Sequence, residues 1–188
     1  MRWEQLFADL EAQFVAQDTA DGAGDRASRE RAEYGRLRLA DRLRGARGWP
    51  VTLTCRGVGE VTGRLVDVGV VWLLLVDAQQ RDVLVAMATV RAVGGLGVET
   101  AAGELGAVER ALDLRRALRG LARDRATVQC LLDDGSTLSG TVDRVGADFV
   151  ELAEHPLDEP RRRGSVTGVR AVVLAAVAVV RTVRPALD

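Results

Sequence analysis

The sequence predicts an α+β chain, mostly β: two tandem five-stranded small barrels, each preceded by a helix, with an extra N-terminal amphipathic helix. Three observations predict it. Sliding the chain 77 residues along itself brings two strand-rich segments, 51 to 77 and 128 to 154, into gapless register. In both segments the apolar residues recur with period two, the spacing of half-buried strands. The stretch before each segment changes to helical spacing, and the same shift sets Leu37, Arg38, Ala40 and Arg42 on Leu114, Arg115, Ala117 and Arg119.

Within the register, Val51, Gly63, Val68, Gly69 and Leu75 recur as Val128, Gly140, Val145, Gly146 and Leu152, and Trp72 meets Phe149. Identity is otherwise low. What repeats is the pattern of apolar and small positions, which is the part of a sequence that specifies a fold.

Taken in order, residues 3 to 17 place Trp3, Leu6, Phe7, Leu10 and Phe14 on one helical face, with Glu4, Asp9 and Glu11 mostly elsewhere. The small, polar run from Asp18 to Asp25 reads as a hinge. A second helix is expected from Ser28 to Arg44, ended by Gly45, Gly48 and Pro50. Strands follow near 51–56, 60–67, 71–77, 82–87 and 89–93, punctuated by Gly57-Val58-Gly59 and by the polar run from Asp77 to Arg81. A glycine-rich linker opens at Gly94, and a helix is expected over 105–123 with Leu114, Ala117, Leu118 and Leu121 as its stripe.

The second strand set begins at Thr127. Asp134-Gly135 is a hairpin signal, because a two-residue turn needs a residue that tolerates the left-handed region. Further strands fall near 148–154, 168–174 and 177–183. Aligning the run from Ala86 to Val90 with that from Val173 to Val177 leaves an insertion in the second copy, which includes the Pro- and Arg-rich loop from His155 to Ser165. The organisation read from this is residues 1–24, helix and hinge; 25–98, helix plus first barrel; 99–188, linker, helix and second barrel.

A helix followed by five short antiparallel strands, with Gly in the second and an apolar third, resembles the Sm-like (SH3-like) fold of the LSm proteins and of the RNA chaperone Hfq. Gly63, Leu65, Val68, Trp72 and Leu73 fit the first motif of that family, as do Gly140, Val142, Val145, Phe149 and Val150. The opening helix, Trp3-Glu4-Gln5-Leu6-Phe7-Ala8-Asp9-Leu10-Glu11, resembles that of uncharacterised actinobacterial proteins. The resemblance implies RNA binding, as in post-transcriptional regulation, and a homo-oligomer formed through open strand edges. This chain departs from the family where function is carried. Gly69 and Gly146 stand where Asp is usual, Trp72-Leu73 and Phe149-Val150 replace a base-contacting Asn, and Ala86-Met87 and Val173-Leu174 replace a Lys-His pair. A uridine-type pocket is therefore not expected.

Composition narrows the function classes. The net charge is -1, and all 26 basic residues are Arg, since the chain has no Lys, Ile or Asn. A binder held mainly by phosphate contacts would be more basic, so any such contact must be local. The Arg-rich helical stretches are interleaved with Asp and Glu and read as solvated faces. Arg161-Arg162-Arg163 has no carboxylate within it, and with Arg144 it forms the candidate nucleic-acid contact. A single histidine and two cysteines, without metal-ligand spacing, leave no expected catalytic relay, metal site or cofactor. Cys55 and Cys130 fall on the apolar strand phase and read as buried thiols. With no apolar N-terminal leader and no membrane-length run, a cytoplasmic protein without membrane association is expected. The alternative is a protein-interaction adaptor using the N-terminal helix or the open strand edges.

Overall fold

The computed structural model describes residues 29, 31–101, 114–157, 161–162 and 164–183. The expected N-terminal amphipathic helix over 3–17 lies outside them. By its internal contacts the chain divides into a unit over residues 1–38 and a second over residues 39–188. In the first, residues 31–34 are helical and stop at a turn through Gly35, whose N–H donates to the Arg31 carbonyl at 2.9 Å.

The second unit contains α1 (Leu39–Gly45), β1 (Pro50–Cys55), β2 (Gly59–Val68), β3 (Trp72–Val76), β4 (Asp82–Ala86) and β5 (Val90–Gly94). Then come α2 (Leu114–Arg123), β6 (Thr127–Leu132), β7 (Thr137–Val145), β8 (Phe149–Glu154), β9 (Gly168–Val173) and β10 (Val177–Thr182). A 3-10 turn joins β4 to β5 (Met87–Thr89), and another joins β9 to β10 (Leu174–Ala176). Each predicted strand is present within two or three residues of its expected bounds. The helix expected over 28–44 is interrupted at Gly35-Arg36, where glycine disfavours the helix and the backbone bonding tightens to the i−3 kind, Arg36 to Glu33 and Leu37 to Tyr34.

All ten strands form one open antiparallel sheet, in the order β5-β1-β2-β3-β4-β10-β6-β7-β8-β9. Where the sequence predicts two five-stranded barrels, the strands are thus continuous from one half to the other, because β4 hydrogen-bonds to β10. Within each half the strand order is the same, fifth-first-second-third-fourth. So is the register: Val51 faces Gly63 as Val128 faces Gly140, and Leu65 faces Leu75 as Val142 faces Leu152. A bulge follows Leu65 in β2 and its counterpart Val142 in β7, adding the same local twist to both.

The two second-strand glycines carry that equivalence into packing. A Cβ at Gly63 would stand 2.8 Å from the Val76 carbonyl oxygen, and one at Gly140 would overlap the Ala153 carbonyl. At each glycine the neighbouring strand comes so close that only hydrogen fits. Two apolar clusters result. Leu43, Leu53, Leu65, Leu73 and Leu75 lie in the first, joined by Ala178 and Val179 from the second half. Leu118, Val128, Val142, Val150 and Leu152 lie in the second, joined by Trp72 and Leu84 from the first half. Leu65 and Leu75 are wholly buried, so truncating either to Ala costs about 2–5 kcal/mol.

The helical part of the repeat is not carried by equivalent residues. α1 buries Leu43, whose counterpart is Gly120; α2 buries Leu118, whose counterpart is Asp41. Each helix has kept a covering role while changing the residues that perform it.

Candidate nucleic-acid interface

Arg144 lies near the end of β7, directly across from Glu151 on β8, with its Nε 3.8 Å from the Glu151 Oε2. Its side chain is 82% exposed. The bulge residue beside it, Asp143, accepts a hydrogen bond of 2.8 Å from Arg161 Nη2 in the β8–β9 loop. The structure therefore brings Arg161 onto Asp143, 18 residues earlier, at the same end of β7 as Arg144. Arg162 is exposed next to it and Arg163 lies outside the described residues.

The loop has built-in order around Arg162. Its N–H donates to Ser165 Oγ at 2.9 Å, and its carbonyl accepts from the Ser165 and Val166 N–H groups. Upstream, His155 anchors the loop inside the fold. It is 3% exposed, with Nε2 2.8 Å from Thr141 Oγ1 and Nδ1 2.8 Å from the Pro156 carbonyl oxygen. A carbonyl only accepts, so in the neutral ring Nδ1 carries the proton and the Thr141 hydroxyl donates to Nε2. Both ring nitrogens are thus engaged by structural partners.

Charge is offset rather than accumulated here. Asp143 faces Arg161, Glu151 faces Arg144, and Glu154 accepts from Arg170 Nε on β9. The absence of carboxylates inside the Arg run does not leave the run without them in space. Elsewhere the same pattern recurs, with Arg44 bonded to Asp41, Arg47 to Asp67 and Arg56 to Asp133.

Of the two repeat aromatics, Trp72 is closed to stacking and Phe149 is only partly open. Trp72 is 6% exposed and lies over Gly69, where a Cβ would overlap the indole; Phe149 lies over Gly146 in the same way. Gly69 and Gly146 also donate through their N–H groups to the carbonyls of Trp72 and Phe149, at 2.9 and 2.8 Å. The absence of a side chain at these two glycines thus leaves room for an aromatic ring. Exposed aromatics among the described residues are Tyr34 and Trp49; Trp49, at 63%, lies beside a cleft of about 390 Å³ lined by Gly45, Pro50, Gly97 and Val98. Its position between Gly48, whose φ is +85°, and Pro50 places it in the turn between α1 and β1.

The cysteines are buried and unpaired by disulfide. Burial raises the pKa of Cys55, against a lowering hydrogen bond with Thr89, and pushes Cys130 up to about 12. Among the described residues, no group of three or more His, Cys, Asp or Glu side chains is placed to hold a metal ion. No described helix is long and apolar enough to cross a membrane. No protein-family model, curated protein or solved structure matches the chain.

Proposed function

We propose that this chain is a non-enzymatic binding protein built from two Sm-like halves, and that it binds RNA through Arg144, Arg161, Arg162 and Arg163. The observation that carries this is the convergence of Arg161 and Arg144 on the bulged end of β7. The common strand order, shared bulges and crowded second-strand glycines support the Sm-like part of the reading. A guanidinium has five N–H donors, and a single bond to Asp143 orients Arg161 without using them all. Contacts of this kind go to phosphates, which position a strand without reading its sequence. The acidic residues in the same patch keep the affinity modest, and the phosphate contacts make it fall with salt.

The test is electrophoretic mobility of single-stranded RNA oligonucleotides at two salt concentrations. Replacing Arg161, Arg162 and Arg163 by Ala should weaken binding of different sequences by similar factors. It should also flatten the logarithmic salt slope by up to about 0.7 for each phosphate that is no longer neutralised. No salt-dependent retardation by the unaltered chain overturns the reading. A protein-adaptor role is the second reading, favoured by the exposed edge strand β9 with Val169 and Val173 on its surface. Self-association of the chain belongs to either.

A further inference from the structure

The internal repeat makes each half a control on the other, and one position differs by more than the fold requires. Gly48 and its counterpart Arg125 both hold a left-handed backbone, with φ of +85° and +50°, so the turn from helix to first strand is of one kind in the two halves. The residue after it is Trp49 in the first half and Ala126 in the second. Ala126 packs at the margin of the second core, whereas Trp49 joins neither core and is 63% exposed. A methyl group thus suffices for the turn, and the indole of Trp49 forgoes one of the largest burial gains open to a side chain.

Trp49 instead lines the cleft of about 390 Å³. The cleft forms where the end of α1 and the start of β1 (Ala46, Trp49, Pro50) meet the chain that follows β5 (Gly97, Val98, Glu99). Its size falls in the range of small-molecule sites. Backbone contacts fix its walls. Arg42 Nη2 on α1 donates to the Gly97 carbonyl, and the Ala101 N–H donates to the Asp41 carbonyl at 3.1 Å, so the segment is strapped to α1 at two points. Glycines permit the approach. A Cβ at Gly45 would stand 2.6 Å from the Glu99 carbonyl oxygen, and one at Gly95 would stand 2.7 Å from that of Pro50. The counterpart of Gly45 is Ala122, which carries the methyl group that this approach excludes.

The lining selects by charge. Its one ionisable side chain is Glu99, and the guanidinium of Arg42 bonds to the strap without lining the cleft. Glu99 repels an anion, and a strongly hydrated cation finds too few acceptors on apolar walls to replace its water. A weakly hydrated organic cation loses less on entering, and it gains both the negative face of the indole and the carboxylate. We propose that this cleft is a binding site for a small organic cation of the alkylammonium class. The charge lies against the Trp49 ring and Glu99, and the apolar body lies against Pro50 and Val98. None of these residues belongs to the arginine contact, so the site stands whether or not the chain binds RNA.

The test is titration of the full chain with benzyltrimethylammonium, read by calorimetry and by the indole N–H resonance of Trp49. Binding should saturate with a dissociation constant on the order of 1 mM. Benzyl alcohol, which is neutral, and benzoate, which is anionic, should bind about tenfold more weakly or not at all. Trp49→Ala should abolish the calorimetric signal yet keep the parent's melting temperature, because Ala126 serves the same turn. Trp49→Phe should retain part of the affinity. Glu99→Gln changes an exposed side chain and should weaken binding roughly fivefold while removing its salt dependence. Failure of benzyltrimethylammonium to bind in this range overturns the proposal, as does equal affinity for benzyl alcohol. Unchanged binding by folded Glu99→Gln protein also overturns it, and unfolding of Trp49→Ala would make the ring a structural one and do the same.

Discussion

The guanidinium of Arg56 bonds to the carboxylate of Asp133, a residue 77 positions later, and 77 residues is the period of the internal repeat. The two side chains therefore occupy the same place in the two halves and meet each other. An identical pair of residues there would set like charges together. The absence of a side chain at Gly57 permits the close approach of the β1–β2 and β6–β7 turns, and the opposite charges of the diverged copies suit it.

The pair is half-exposed, so its value is modest, below about 1 kcal/mol. Arg56→Asp should cost more than Arg56→Ala, because it sets two carboxylates against each other where the turns are closest. Adding Asp133→Arg to Arg56→Asp should recover most of that difference. Urea denaturation of the four variants checks this; equal stability of the single reversal and the swap would show that the charges do not interact.

The Gly69–Trp72 and Gly146–Phe149 contacts make a sharper mutational contrast. In each, an added methyl group overlaps the ring, which has to move. Trp72 is held between the halves and has nowhere to go, whereas Phe149 is partly open to solvent. Gly69→Ala should therefore cost about 2–3 kcal/mol and Gly146→Ala about 1 kcal/mol. Thermal denaturation measures both, and tryptophan fluorescence should shift for Gly69→Ala alone if the indole is displaced.

Much of this arrangement was legible in the sequence because it is local. Strand period, the left-handed Gly135 of the Asp134 turn and the crowded Gly63 and Gly140 each depend on a few neighbouring residues. Leu65, Val68, Leu75, Val142 and Leu152 are buried as their phase predicts, while Val145 is only partly so. What was not legible is set between distant segments. The pairing of β4 with β10 leaves no periodic trace, since either strand reads as an edge or a centre with equal ease. The bond from Arg161 to Asp143 follows from a loop folding back on β7, so an Arg run without internal carboxylates acquires one in space. The exchange of Leu43 for Gly120 and of Asp41 for Leu118 hides the helical half of the repeat in the same way.

Thiol chemistry follows from burial. With the Cys130 pKa at about 12, roughly one molecule in 10⁴ carries its thiolate at pH 8, and the thiolate is the nucleophile. Iodoacetamide should leave Cys130 unmodified in the native protein over hours and label it promptly in concentrated guanidinium. Cys55, also raised but with an opposing hydrogen bond from Thr89, should react first. Peptide mass mapping against time distinguishes the two. Prompt native labelling of Cys130 would mean that the second core opens far more often than its packing implies.

Acid stability has an identifiable contributor in Asp77, at the β3–β4 turn. Burial by itself raises its pKa, but hydrogen bonds from the Arg81 N–H and guanidinium, with that of the Gln79 N–H, lower it overall. A carboxyl depressed in the folded state binds its proton more readily when unfolded. Its contribution is therefore fully present above the unfolded value of about 3.9 and is lost as pH falls through the lower folded value. Asp77→Asn should cost about 2 kcal/mol at pH 7, through weakened bonds to the charged Arg81. That deficit should shrink as pH falls below 4. Urea midpoints of parent and variant at pH 7, 4 and 3 test the sign, and a deficit that stays constant down to pH 3 would assign the loss to turn geometry instead of charge.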